Sequence, residues 1–296
     1  MNQAARLMLG FPEYMRQTQN LAEKAGVSCV EVGIHHFPDG ESKITLPDRL
    51  PAEVIFCRSL DHPNSKLVEL MLAARGASAL GADTISLVCP YLCYMRQDKA
   101  FHPGEVVSQT IVGGWLAAHF DNVLTVDAHL HRINTLKEAV PAKNAVNVTA
   151  TGPMAEFLLQ RFDRPMLIGP DSESRQWVAA IAAIGDFEYV VAEKTRLGDR
   201  EVRISLPQAA YGGKDVVLVD DVASTGKTLL ETARQLSGFK PASVSVLVTH
   251  ALLSDQAVEL LRQAGVDNIW SCDSIPHATN AVSLAGLLAA QLDFRG

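Results

Sequence analysis

The chain alternates between two hydrophobic periods. Short apolar runs suited to strands fall at 6–9, 28–32, 52–57, 84–89, 122–126, 166–168, 188–191, 216–219, 243–249 and 268–271, and 43–46 alternates polar with apolar residues. Apolar residues at helical spacing fill the intervals at 12–25, 64–80, 106–120, 151–162, 172–184, 227–238, 255–264 and 282–292. Strands alternating with helices of this length predict an α/β architecture. Gly26 closes the first helix, Gly238 closes the one that starts near 227, and Asn64 or Ser65 fits an N-cap for the second. The stretch 145–150 reads as a crossing segment, after which the plan of elements repeats. Two packed α/β domains are therefore expected, 1–146 and 147–279. Sequence identity between the halves is too weak to establish duplication by itself.

Composition narrows the function classes. A chain of 296 residues, 48% hydrophobic and 20% charged, can bury two medium cores. Its net charge of −7 argues against nucleic acid as the main partner, while leaving room for small anions at local sites. The five cysteines are odd in number and mostly lie in apolar runs, which predicts reduced core thiols, and Cys89 and Cys93 are spaced too widely for a close Cys-x-x-Cys pair. No apolar run approaches the ~20 residues of a membrane span, and the start lacks a signal-type core. A cytoplasmic protein with no membrane partner is expected.

The chemistry concentrates at 216–228. Four apolar β-formers end in Asp220-Asp221, a small-residue turn follows, and a helix begins near Lys227. At such a junction the N–H groups of residues 223–227 can converge on an anion, because the first turn of a helix has unpaired donors and the positive end of the dipole. Ser224, Thr225 and Thr228 add hydroxyl donors. Gly226-Lys227-Thr228 ends like a Walker A loop, but the required earlier glycine is Asp221 here, so that motif fails. Adjacent carboxylates before a phosphate loop suit a sugar phosphate, binding ribose hydroxyls or helping to hold a divalent cation.

Other polar clusters sit at strand ends. Pro38 and Gly40 make a turn that carries Phe37, Asp39 and Glu41. The neighbouring His35 and His36 point to opposite faces of a strand, which argues against a shared metal. The loop 90–99 contains Arg96, suited to a bidentate hold on phosphate, and Gln97, suited to an adenine edge. Asp127 and His129 follow the next strand. Asp171 fits a helix N-cap, a metal ligand or a partner for ribose hydroxyls. Lys194 and Arg196, spaced i, i+2 in an extended hairpin loop, point the same way and can neutralise charge on a transferred phosphoryl group.

The apolar strand with Asp220-Asp221, Thr225-Gly226 and Thr228 resembles the phosphoribosyl-diphosphate loop of type I phosphoribosyltransferases and of ribose-phosphate diphosphokinases, the PRPP synthetases. Phe37-x-Asp39-Gly40-Glu41, Pro90-Tyr91-x-x-Tyr94-x-Arg96-Gln97-Asp98, Asp127-x-His129 and Lys194-x-Arg196 resemble further motifs of the latter family, in its order. The resemblance implies two phosphoribosyltransferase-like domains, each a mainly parallel sheet flanked by helices, with a C-terminal helix in 280–296 returning to the first. It implies ATP binding by Phe37, Asp39, Glu41, Arg96, Gln97, Asp98 and His129, in a site shared between subunits of a homo-oligomer. Ribose 5-phosphate is expected at Asp220, Asp221, Ser224, Thr225, Gly226 and Thr228, and Mg2+ at His129 and Asp171. Lys194 and Arg196 are the expected catalytic residues for diphosphoryl transfer. Ala128 replaces the family's leucine, and Glu173-Ser174 replaces a usual Gly-Gly, putting that turn in question. His131 has no assigned role. The alternatives are a phosphoribosyltransferase that consumes PRPP, or a non-catalytic nucleotide-binding regulatory paralogue.

Overall fold

The computed structural model describes residues 6–130, 132–196 and 202–294, with the side chains of 194–196 and 202–203 outside that description. Two units emerge, one of Met1–Thr149 with Leu284–Gly296, the other of Ala150–Ser283.

The first unit runs β1 (Arg6–Gly10), α1 (Met15–Ala25), β2 (Ser28–Glu31), β3 (Gly33–His36), β4 (Ser42–Thr45), β5 (Glu53–Cys57), α2 (Pro63–Ala79), β6 (Thr84–Cys89), α3 (Ser108–Ala117), β7 (Asn122–Val126), α4 (Leu136–Ala139) and β8 (Asn144–Val148). Its six-stranded sheet has the order β2-β1-β5-β6-β7-β8 and is parallel throughout. The apolar runs dictate this arrangement, since a strand buried on both faces cannot alternate with polar residues. Phe56 lies between Phe11 and Phe120, each centroid 6.2 Å away, tilted to the first and edge-on to the second, in a core with Leu70, Leu87 and Leu116. Strands β3 and β4 form a separate antiparallel hairpin.

The second unit runs α5 (Thr151–Leu159), β9 (Met166–Gly169), α6 (Arg175–Gly185), β10 (Glu188–Val191), β11 (Glu193–Arg196), β12 (Val202–Ser205), β13 (Asp215–Ala223), α7 (Lys227–Ser237), β14 (Ser243–Ala251), α8 (Asp255–Gln263), β15 (Asn268–Cys272) and β16 (Asn280–Val282). Its parallel sheet has the order β10-β9-β13-β14-β15-β16, and β11–β12 is again a separate antiparallel hairpin after the edge strand. Ile168, Leu218, Val246 and Leu236 build its core. Finally α9 (Ala285–Ala289) packs on α1 in the first unit.

The two units share more than strand order. At the entry to β7, Asp121 Oδ2 accepts the Ile85 N–H at 2.9 Å and Asn122 Nδ2 donates to Ser86 Oγ at 2.8 Å. At the entry to β15, Asp267 Oδ2 accepts the Val244 N–H at 2.9 Å and Asn268 Nδ2 donates to Ser245 Oγ at 3.3 Å. The same Asp-Asn pair thus locks the same two strands in each unit. Periodicity alone had left this relation undecided.

Several boundaries differ from the sequence expectation. The second helix begins at Pro63 behind His62, whose φ of 47° makes it the cap in place of Asn64 or Ser65. The stretch at 145–150 is mostly strand, because 144–148 pairs with β7 as a sheet edge. Strand β13 continues through Asp220 and Asp221 to Ala223, since its pairing with β14 persists to Ala251. The expected final helix at 282–292 shortens, because Val282 pairs in β16 beside Cys272. Helix α4 was not anticipated, although Thr135 and Glu138 close it with a capping box.

None of the five cysteines is in a disulfide; Cys57, Cys89, Cys93 and Cys272 are buried and Cys29 is half-buried. Burial pushes the Cys93 thiol up to about 12 and the Cys89 thiol well above its ordinary range. The four buried ones are core thiols, as the sequence led one to expect.

Helix α3 meets the loop end of α4 at Gly113, where a Cβ would lie 1.8 Å from the Ala139 carbonyl oxygen, whereas at Gly114 a Cβ would meet nothing within 4 Å. Gly113→Ala should therefore cost about 2–4 kcal/mol in urea unfolding. Gly114→Ala should instead add about 0.5–1 kcal/mol by helix propensity. Equal effects would mean that the contact is not tight.

Candidate active site

In parallel sheets the loops at the carboxyl ends of the strands are the natural ligand-binding edge. In the first unit that edge carries the loops after β5, β6 and β7. Beyond β6, Tyr94 adopts φ 60° and its hydroxyl donates to Asn64 Oδ1 at 2.5 Å. Gln109, buried in α3, holds this loop by donating its side-chain amide to the Met95 carbonyl at 3.2 Å and its N–H to the Gln97 carbonyl at 3.3 Å. Arg96 is left exposed, and Gln97 Oε1 accepts from Ser108 Oγ at 3.3 Å.

Asp98 is bound differently from its neighbours. Its carboxylate is only 2% exposed, with one oxygen on Arg132 and Oδ2 without a hydrogen-bond partner among the described residues. Arg132 had no role in the sequence reading, because nothing in the local pattern connects positions so far apart. His131 lies outside the described residues.

At the end of β7, Asp127 is buried at φ 40° with its N–H on the Val148 carbonyl at 2.8 Å, and the Ala128 N–H donates to Asn147 Oδ1 at 2.9 Å. This shapes the half-buried stretch that presents His129. The Val126 N–H reaches the Pro90 carbonyl at 3.4 Å, so the loops bearing Arg96 and His129 spring from adjoining strand ends.

Phe37, Asp39 and Glu41 sit together on the exposed turn of the β3–β4 hairpin. The Phe37 N–H donates to the Glu41 carbonyl at 2.8 Å, Asp39 Oδ1 accepts the Glu41 N–H at 3.2 Å, and Gly40 supplies φ 93°. His35 meets Phe37 edge-on at 4.8 Å, while His36 Nε2 donates to Glu69 Oε1 at 2.8 Å. The adjacent histidines thus have separate partners, as the alternation of a strand demands.

The second unit gathers carboxylates. Asp220 is half-buried as a residue, but burial of its carboxyl, reinforced by the charges of Asp221 and then Asp171, raises its pKa well above the usual carboxylate range. Asp171 and Asp221 are themselves buried. Asp221 Oδ1 accepts the Val222 N–H at 2.8 Å, and Asp171 Oδ1 accepts the Glu173 N–H at 3.1 Å. The Glu173-Ser174 replacement does not spoil this turn. Ser174 takes an ordinary helical conformation, φ −72°, and its Oγ donates to the Asp171 carbonyl at 2.7 Å. The glycine the site needs is Gly169, where a Cβ would come within 2.5 Å of Ser174 Oγ.

The phosphate-loop candidate is Ser224, Thr225 and Gly226 between β13 and α7. Gly226 has φ 70°, and a Cβ there would stand 3.1 Å from Leu253 Cδ2, so both conformation and packing call for glycine. Thr228 lies in the first turn of α7, where the helix dipole favours an anion. Because Ala223 is still strand, the turn is shorter than the sequence suggested.

Two histidines behind this loop had no part in the sequence reading. Ser274 Oγ donates to the Thr249 carbonyl at 2.7 Å, so it accepts from the buried His250 Nδ1 at 2.9 Å and fixes that tautomer. His277 Nε2 donates to the Leu253 carbonyl at 2.9 Å, bracing the residue that packs on Gly226.

Lys194 and Arg196 are on β11, their backbones opposite Ile204 and Val202. Their side chains lie outside the described residues, as do Leu197 to Arg200. Gln235 of α7 donates to the Ile204 carbonyl at 2.5 Å, tying the base of this hairpin to the helix that follows the phosphate loop. Among the described residues no three His, Cys, Asp or Glu side chains converge as a ready-made metal site.

Comparison with known proteins adds an independent line. Residues 11–119 match the N-terminal domain of ribose phosphate pyrophosphokinase and residues 150–286 match the phosphoribosyl transferase domain. The chain is 34% identical over 291 residues to the ribose-phosphate pyrophosphokinase of Methanopyrus kandleri, covering 97% of this chain and 98% of that protein. It is 31% identical over 280 residues to that of Sulfurisphaera tokodaii, covering 92% and 94%. In fold it is similar to the crystal structure of phosphoribosylpyrophosphate synthetase from Mycobacterium smegmatis, with TM-score 0.81 across 97% and 98% of the two chains at 21% identity.

A carboxyl whose folded-state pKa is raised favours the fold below the ordinary carboxylate range and loses that contribution as pH rises through the raised value. Asp220→Asn should therefore raise the Tm of the ligand-free protein at neutral pH, the gain shrinking as pH falls from the raised value toward the usual range for aspartate. A Tm difference independent of pH would show that Asp220 is not titrating there.

Proposed function

This chain belongs to the ribose-phosphate pyrophosphokinase family, and we propose that it carries out that reaction itself: transfer of the β,γ-diphosphoryl group of ATP to the C1 hydroxyl of ribose 5-phosphate, giving PRPP and AMP. The observation that carries this reading is that each unit has its own domain match, 11–119 and 150–286, and that one ribose-phosphate pyrophosphokinase aligns across 97% of this chain and 98% of its own length. A phosphoribosyltransferase consuming PRPP would account for the second unit alone.

In this reading the hairpin turn with Phe37, Asp39 and Glu41 takes the adenine end of ATP, while Arg96, Gln97 and His129 hold its phosphates and base. Asp98 acts through Arg132, keeping the loop in shape. The phosphate of ribose 5-phosphate lies against Ser224, Thr225, Gly226 and Thr228 at the start of α7. Asp220 and Asp221 receive the ribose hydroxyls. Lys194 and Arg196 neutralise charge that develops on the transferred group, and a reaction of this kind needs positioning and electrostatics more than covalent help.

Mg2+ fits the donor set. Asp171, Asp220 and Asp221 are hard oxygen donors whose mutual repulsion a divalent cation relieves, and Mg2+ keeps waters and substrate phosphates as its remaining ligands, so few protein ligands suffice. Asp171 is the residue proposed to hold it here, with His129 on the nucleotide side. Once bound, it supplies charge neutralisation for the polyphosphate. The exposure of the Phe37 turn supports a nucleotide site completed by a neighbouring subunit in a homo-oligomer. Among the described residues no helix is long and apolar enough to cross a membrane, and a cytoplasmic location goes with the metabolic role.

Incubation with ATP, Mg2+ and ribose 5-phosphate should yield AMP and PRPP in equal amounts, identified by mass. Binding of ATP without either product would overturn the assignment. Lys194→Ala should lower kcat by at least about 100-fold with the KM for ribose 5-phosphate within about twofold. Asp221→Asn should chiefly raise that KM, and an unchanged value would remove Asp221 from the sugar site.

A further inference from the structure

The hairpin that bears Phe37, Asp39 and Glu41 consists of two four-residue strands, too short to be rigid alone. Ile34, Ile44 and Leu46 pack it on the core. Those contacts hold the base and leave the residues beside the turn to other forces. The residues beside the turn are His36, which ends β3, and Ser42, which begins β4, and they face each other in the ladder. His36 Nε2 and Ser42 Oγ both donate to one carboxylate oxygen, Glu69 Oε1, at 2.8 and 3.0 Å.

Glu69 is itself immobilised from below. Its side chain is 3% exposed, and its other oxygen accepts from Arg58 Nη2 at 2.5 Å. Arg58, equally buried, uses each of its nitrogens: Nε donates to Glu13 at 2.7 Å and Nη1 to the Lys66 carbonyl at 3.0 Å, with its guanidinium over the Phe11 ring at 4.0 Å. Burial opposes the charge on Glu69, yet the hydrogen bonds from His36 and Arg58 outweigh it and hold its carboxyl below the ordinary range. A buried ion pair adds little net stability relative to an apolar pair of the same shape, but it fixes geometry. Here the fixed oxygen faces the neck of a turn.

We propose that Glu69 is a positioning residue for nucleotide binding: anchored by Arg58, it clamps His36 and Ser42 and so sets the geometry of the turn that bears Phe37, Asp39 and Glu41. This rests on the reading of that turn as the adenine site. Glu69 touches no substrate, so its loss acts on ATP affinity and spares the sugar side.

The test compares Glu69→Gln, which leaves one acceptor oxygen where two are used and so breaks either the Arg58 anchor or the clamp, with the double variant His36→Ala/Ser42→Ala, which cuts the two clamp bonds from the exposed side, His36 being 64% exposed. Each should raise the KM for ATP about tenfold, with saturating turnover and the KM for ribose 5-phosphate within about twofold. Combining them should add little to either, because both act through one set of bonds. Should Glu69→Gln fail to fold, the double variant decides. Phe37→Ala separates the two readings. If it weakens ATP while the clamp variants do not, or if the clamp effects simply add, positioning by Glu69 is wrong and the adenine site stands. If Phe37→Ala leaves the KM for ATP unchanged, the adenine site itself is misplaced and the proposal falls with it.

Discussion

The second unit depends on the parallel pairing of β13 between β9 and β14. Left to electrostatics, two adjacent carboxylates with a third nearby would separate into water. The backbone ladder runs on through Asp220 to Ala223 and keeps them at the sheet edge, where Asp220 gives up part of its acidity. The same ladder fixes where the turn ends and where α7 begins. It therefore fixes the helix N-terminus beside the acids, and through Gln235 the base of the β11–β12 hairpin. Cationic demand and anion-binding capacity are set side by side by one strand.

Comparing the two units clarifies what that strand is for. Each has the same strand order, the same hairpin after its edge strand and the same Asp-Asn lock between equivalent strands. By that register Arg58 stands as far beyond Val54 as Asp220 stands beyond Val216. The first unit fills the position with a cation and closes it internally with Glu13 and Glu69. The second fills it with an anion beside other anions. One framework thus yields a self-neutralised support and a site whose charge is completed by what binds there.

The sequence disclosed the parts whose signal is local. Apolar runs gave the central strands, and the run into Asp220-Asp221 and Gly226 marked the junction, because a strand, a charge pair and a left-handed glycine are each written in consecutive residues. The strand was read too short, since nothing local shows that pairing continues under charged side chains. Long-range partners were invisible for the same reason: Arg132 with Asp98, Glu69 with His36, His277 with Leu253. Helix α4 is a different case. Thr135 and Glu138 spell its capping box, but four helical residues leave no periodicity for that signal to support.

The distribution of thiols has a use in the laboratory. Four of the five cysteines are sealed in the cores, and only Cys29, on the edge strand β2, is half-open. The native chain therefore offers a reagent such as a maleimide one slow site, and the unfolded chain offers five. Counting modified thiols by intact mass reports how much of the population has opened, with no dye, tag or added mutation.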